Sequence, residues 1–142
     1  MLFKKNKNSG IIDFDEMSPL EVVTYLFVYV MLSDNQISFE EKESWKESIQ
    51  NLFPDHLESR TENFFNESLI KLSKLDRNSK KMLLYKICNA INNTLDKKRI
   101  GKLGKMLGLL IKSDGIIMSS EKSTSEIIET NLNIVIRLDN NT

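Results

Sequence analysis

A ten-residue pattern occurs twice in this chain, and it constrains the fold more than any other feature. Leu32-Ser33-Asp34-Asn35-Gln36-Ile37-Ser38-Phe39-Glu40-Glu41 aligns without a gap on Lys112-Ser113-Asp114-Gly115-Ile116-Ile117-Met118-Ser119-Ser120-Glu121. Ser33, Asp34, Ile37 and Glu41 match Ser113, Asp114, Ile117 and Glu121. Upstream, Leu26, Phe27, Val30 and Met31 stand opposite Met106, Leu107, Leu110 and Ile111. Each copy reads as an apolar helix, a Ser-Asp turn, one isoleucine, and a glutamate that opens the next helix. A helical hairpin of this kind cannot bury its apolar face alone, so a chain with two must pack them together. The pattern predicts an all-α, single-domain bundle of six or seven helices with two pseudo-symmetric hairpins.

Capping signals and apolar spacing mark the helices. Ser18-Pro19-Leu20-Glu21 combines a capping box with proline at the first helical position. Leu20, Val23, Phe27, Val30 and Met31 then recur at helical spacing, which predicts one broad buried face and an end near Ser33-Asp34-Asn35. Ser38-Phe39-Glu40-Glu41 is a second capping box, followed by Trp45, Ile49, Leu52 and Phe53 and stopped by Pro54. A third helix over 58–74 turns Phe64, Phe65, Leu69, Ile70 and Leu72 inward. A fourth starts at Asn78 or Ser79 and carries Met82, Leu83, Tyr85, Ile87, Ile91 and Leu95. The fifth spans 96–112 and the sixth 119–132. In the fifth, Gly101, Gly104 and Gly108 line one side beside Ile100, Leu103, Leu107 and Leu110, a smooth side that suits close approach of another backbone. Ile134-Val135-Ile136 reads as a fraying helix end or a short extended piece. Residues 1–17 read as a flexible polar tail, 18–135 as the helical domain and 136–142 as a C-terminal tail.

The chain has 142 residues, 40% apolar and 28% charged, enough for one domain with a real core. The longest apolar run, around Val22 to Leu32, falls well short of the roughly 20 residues that cross a bilayer. Cys88 is the sole cysteine, so no internal disulfide forms. With no signal peptide, the expected compartment is the cytoplasm. Cys88 falls on the apolar side of the fourth helix and reads as buried rather than nucleophilic. His56 is the sole histidine, which sets aside a histidine-based zinc site. No phosphate-binding loop or serine nucleophile motif is present, and the expectation is a protein that is not an enzyme, with no small-molecule substrate.

The net charge is zero, but the charges are segregated. Residues 13–67 carry 13 acids against three bases, and residues 68–112 carry 12 bases against two acids. These blocks read either as solvated helix faces attracting one another or as a surface for an anionic partner. Overall neutrality and the lack of any nucleic-acid motif argue against specific nucleic-acid binding. Residues 1–7 and the basic amphipathic segment 97–112 suggest peripheral contact with an anionic membrane, as an alternative to core packing for the fifth helix.

The two junctions have two readings. In one, Asp34 and Asp114 satisfy turn amides while Glu41 and Glu121 favour a helix N-terminus. In the other, the two tight turns bring four carboxylates together, enough oxygen for a hard cation such as Ca²⁺. Neither loop has the ligand series of an EF-hand. The doubled pattern of helix, Ser-Asp-x-x-Ile turn and glutamate-started helix resembles the TerB-like domain of tellurite-resistance proteins, related to the N-terminal region of DjlA-type co-chaperones. The resemblance covers residues 18–132. It implies a pseudo-symmetric helical fold, a cytoplasmic role in bacterial stress response or phage defence, a protein partner, and a divalent-metal site (Ca²⁺, with Mg²⁺ and Mn²⁺ as alternatives). The matching positions are Asp34, Glu41, Asp114 and Glu121. Asn35 stands where the family's first turn has glycine, and Met118-Ser119-Ser120 departs from its acidic stretch.

Overall fold

Every regular element among the described residues of the computed structural model (12–32, 39–55, 58–112, 119–134 and 136) is helical. A 3-10 turn at Phe14–Glu16 leads into six helices: α1 (Pro19–Met31), α2 (Phe39–Leu52), α3 (Glu58–Ser73), α4 (Arg77–Thr94), α5 (Lys97–Lys112) and α6 (Ser119–Leu132).

The first helix starts as its sequence requires. Ser18 Oγ accepts from the Glu21 amide at 3.3 Å, and the Ser18 amide donates to Glu21 Oε1 at 3.0 Å, a closed capping box. Ser18→Ala is expected to lower stability by about 1 kcal/mol, measurable as a lower urea midpoint with unchanged slope. Aspartates begin the fourth and fifth helices: Asp76 accepts from the Ser79 amide at 2.7 Å and Asp96 from the Arg99 amide at 2.8 Å. Helix α4 therefore starts at Arg77, slightly before the predicted Asn78 or Ser79, because Ser79 serves as the donor to a cap rather than as the cap.

Helix α1 is the centre of the molecule. Val22, Val23, Thr24, Tyr25, Leu26, Phe27, Val28, Val30 and Met31 are all buried. The expectation of one buried face was too narrow, since a helix apolar all round is one that neighbours surround. Its principal neighbours are α3 and α4, while α2 packs chiefly on α5 and α4 on α6.

Side-chain contacts give the directions. Tyr25 meets Phe64 edge-on at 5.5 Å, and Glu21 shares a recess with Arg60 and Phe64, so α1 and α3 run parallel. Trp45 stacks on Phe65 at 4.4 Å while Lys46 reaches back to Glu62, so α2 and α3 are antiparallel. Phe14 and Met17 line a groove with Ala90 and Thr94, at the C-terminal end of α4, and Tyr29 lies toward Tyr85 and Cys88. Helices α1 and α4 are thus antiparallel. The Arg99 guanidinium covers the Phe53 ring at 5.3 Å, which sets the start of α5 beside the end of α2. Asn92 Nδ2 donates to the Asn131 carbonyl at 2.9 Å and joins the C-terminal ends of α4 and α6. Successive helices alternate in direction throughout.

The segments adjoining the helices belong to the core. Phe14 is buried edge-on against Tyr25 at 5.4 Å, with Ile12 and Met17 packed nearby, so the packed domain begins before residue 18. At the other end, Asn133 takes a left-handed φ of 56°, and the Ile134 amide donates back to the Glu129 carbonyl at 3.2 Å. This six-to-one bond is a Schellman stop with asparagine in the glycine position. The Ile136 amide then donates to the Glu129 carboxylate at 2.6 Å, and the Ile136 side chain is buried. Ile134 and Ile136 are thus tied back to Glu129 of α6, and neither is part of a fraying helix end.

The inward assignment of Ile70 is corrected, and two of the apolar residues expected on the fourth helix, Met82 and Tyr85, face outward. Ile70, Met82 and Tyr85 are 54%, 66% and 45% exposed. The buried rows are Thr61-Phe65-Ser68-Leu72 on α3 and Leu84-Ile87-Cys88-Ile91 on α4, and these three side chains lie off them. Of the three glycines in α5, Gly104 and Gly108 are buried, but a Cβ on Gly101 would meet nothing within 4 Å. Gly101→Ala is therefore expected to stabilise the fold by about 0.4–1 kcal/mol through the entropy of the unfolded chain, read as a raised melting temperature.

Candidate functional site

Among the sequence candidates for cation binding, Glu41 is the one whose side chain is described. Asp34 and Asp114 lie outside the described residues, as do Ser38 of the second capping box, His56 and the tail residues 1–7. Glu121 lies in the first turn of α6, with its side chain outside the described set. Glu41 occupies the first turn of α2 and is only 1% exposed. A carboxylate in that position is stabilised by the helix dipole. Among the described residues, no group of three or more His, Cys, Asp or Glu forms a set that could hold a metal ion.

The helices flanking the two junctions are arranged as follows. Helix α2 begins where the first acidic segment ends, and α5 finishes where the second begins. The Arg99–Phe53 contact makes this pair antiparallel. Their lengths, 14 and 16 residues, correspond to about 21 and 24 Å. The start of α2, with Glu41, and the end of α5 therefore lie at the same end of the bundle.

A second cluster, which the sequence reading passed over, joins α2 to α3. Lys42 sits over the Phe65 ring at 5.3 Å, and Trp45 packs against that ring at 4.4 Å. Lys46 Nζ lies 2.8 Å from Glu62 and 3.8 Å from Glu43. Its hydrogen bond, aided by the Lys42 charge, holds the Glu62 carboxyl below the usual carboxylate range. The signal was present as Lys42, Trp45 and Lys46 at spacings of three and four on one helix face. The adjoining recess has a volume of about 190 Å³ and is lined by Trp45, Ile49, Gln50, Thr61 and Glu62. Among the described residues, no acceptor reaches the buried Trp45 indole N–H.

A larger groove of about 510 Å³ separates the 3-10 turn from α4. It presents Asp13, Tyr85, Lys86, Asn89 and Asn93, a polar wall suited to hydrogen bonding.

Cys88 is fully buried, and burial pushes its thiol up to about 12. A neutral, enclosed thiol is a poor nucleophile, as the sequence reading expected. Native protein is expected to leave Cys88 unmodified by a thiol-specific reagent over minutes at neutral pH, and urea-unfolded protein to react fully, as mass spectrometry would report.

The charge separation resolves into distinct faces. On α5, Ile100, Leu103, Leu107 and Leu110 are buried while Lys98, Lys102 and Lys105 are exposed. The apolar stripe of this basic amphipathic helix is thus used inside the protein, as core packing requires. No helix among the described residues is long and apolar enough to cross a membrane. No protein-family model matches this chain, nor does any curated protein or solved structure.

Proposed function

We propose that this chain is a non-enzymatic, TerB-like interaction module that takes a divalent cation at its two acidic helix junctions. Asp34, Glu41, Asp114 and Glu121 would supply the oxygen ligands, and Ca²⁺ is the cation best suited to such a set. The observation that carries this reading is the antiparallel packing of α2 on α5, with the N-terminus of one and the C-terminus of the other at one end of the bundle. That arrangement is what two repeated junctions need in order to share one ion. Glu41 lies buried in the first turn of α2, at that shared end. A bound ion would tie the α1–α2 hairpin to the α5–α6 hairpin and stiffen the end they share. A protein partner would read that end, in the bacterial stress-response or phage-defence setting that the TerB resemblance implies.

The test is a thermal melt with and without Ca²⁺, on the native chain and on the Asp34→Asn, Asp114→Asn double variant. An ion bound only by the folded state stabilises it by about 2.7 kcal/mol at 100 times its dissociation constant. The expected result is a rise in melting temperature that the double variant abolishes. No rise at millimolar Ca²⁺, Mg²⁺ or Mn²⁺ would overturn the cation site and leave the aspartates as turn residues. The exposed Lys98, Lys102 and Lys105 favour a second reading, a metal-independent adaptor that engages an anionic partner through α5. Charge reversal at these lysines, with loss of partner capture and no change in the Ca²⁺ response, would select it.

A further inference from the structure

We infer that the corner where α3 turns into α4 docks on an anionic lipid surface. Residues 70–86 carry six bases, Lys71, Lys74, Arg77, Lys80, Lys81 and Lys86, against the single acid Asp76. That acid is engaged as the cap of α4, accepting from the Ser79 amide at 2.7 Å. None of the six bases takes part in an ion pair among the described residues, where the pairs are those of Lys46. Five of them are exposed and Lys80 is half-buried.

Charge alone would suit any polyanion, and the apolar side chains decide between partners. Phe39, Ile70, Met82 and Tyr85 are the large hydrophobic side chains exposed among the described residues; Ile70 and Met82 belong to this corner, while Tyr85 lines the groove beside the 3-10 turn. Lys74, Leu75 and Asp76 separate the two helices. Ile70 and Met82 therefore stand within about 10 Å of the turn along the helix axes. Exposed apolar tips flanked along both helices by lysines outside any ion pair among the described residues fit the boundary between lipid headgroups and acyl chains, where the tips leave water and the ammonium groups meet anionic headgroups. A nucleic acid or acidic peptide would use the lysines and leave Ile70 and Met82 in water. Helix α5 lacks this combination among its described side chains, because Ile100, Leu103, Leu107 and Leu110 lie in the core.

The experiment is co-sedimentation of the full chain at low salt, with chelator present, on phosphatidylserine-containing vesicles and on phosphatidylcholine vesicles. Chelator removes any contribution from bound cation, so the result does not depend on the proposed metal site. Binding is expected on the first vesicles only, falling as salt is raised. Lys74→Glu with Lys81→Glu, and separately Ile70→Ser with Met82→Ser, are each expected to reduce it about tenfold or more. Lys98→Glu with Lys102→Glu is expected to change it by less than about twofold. All the changed side chains are exposed, and unchanged melting curves would certify folding. Absence of pelleting, equal loss from the α5 variant, or full retention by Ile70→Ser with Met82→Ser would each overturn the proposal. In the last case, equal competition by a single-stranded oligonucleotide would identify the corner as a general polyanion site.

Discussion

Trp45→Ala is expected to cost about 3–5 kcal/mol, among the largest effects of a single truncation in this molecule. The indole is 1% exposed, packs on Phe65 at 4.4 Å and closes the wall between α2 and α3. Helix α2 has an amphipathic sequence with only Trp45, Ile49 and Leu52 as fully buried apolar anchors, so loss of the largest leaves little to hold it. Against a total stability of about 5–15 kcal/mol for a typical domain, such a loss places the variant near its unfolding threshold. The measurement is urea unfolding followed by circular dichroism, with Trp45→Phe as control. Among the described residues no acceptor reaches the buried indole N–H, so phenylalanine removes an unsatisfied donor while keeping most of the ring. Trp45→Phe is therefore expected to retain most of the stability that Trp45→Ala loses. Equal losses in the two variants would mean that the indole nitrogen, rather than ring packing, secures this wall.

How far such a wall is legible in the sequence depends on whether the signal is local. The capping box at Ser18 and Glu21 and the starts of α3 and α6 were readable because caps and apolar spacing lie within a few residues of one another. The residues of the α5 stripe, Ile100, Leu103, Leu107 and Leu110, were placed correctly for the same reason. The inward assignment of Ile70 failed, and Met82 and Tyr85 were given no face, because an apolar residue fits several faces of a helix, and only the position of α1 selects the one used. Phe14 and Ile136 were missed because each joins the core from beyond a helix end, where periodicity carries no information. Asn133 shows a subtler case: asparagine after a run of polar helix residues is a weak stop signal, and only the bond from Ile134 to Glu129 reveals it as one. For the candidate site, sequence identified the repeat, while the direction of α2 against α5 came from a contact between Arg99 and Phe53 that no repeat encodes. The same limit explains the corner at α3 and α4. Its lysines were visible as part of a basic block, but the exposure of the apolar tips between them was not.

Alkaline pH is expected to destabilise this protein progressively from about pH 9 upward, because two buried acids must stay neutral in the native state. Burial pushes the Cys88 thiol from 9.0 up to about 12. Burial, followed by the charges of Glu67 and Glu21, pushes the Tyr25 hydroxyl from 10.0 up to about 12. Tyr29 shifts in the same direction, chiefly through burial. Both Cys88 and Tyr25 bind their proton more tightly when folded, so the unfolded chain releases protons first as pH rises. Their contribution to stability is fully present below about pH 9 and is lost as pH climbs through the window up to about 12. Each such group adds a slope of at most about 1.4 kcal/mol per pH unit, and together they remove several kcal/mol across the window. The measurement is a series of urea midpoints from about pH 8 to about pH 11 on the native chain, Cys88→Ala and Tyr25→Phe. Each variant starts less stable through lost packing or a lost hydroxyl, and its curve should then fall less steeply than the native one. For Cys88→Ala the curves should converge from about pH 9, and for Tyr25→Phe from about pH 10, the order in which the unfolded chain releases the two protons. Parallel curves throughout would show that neither group is held neutral by the fold, and would contradict the burial of Tyr25 on α1 and Cys88 on α4 in the core they share.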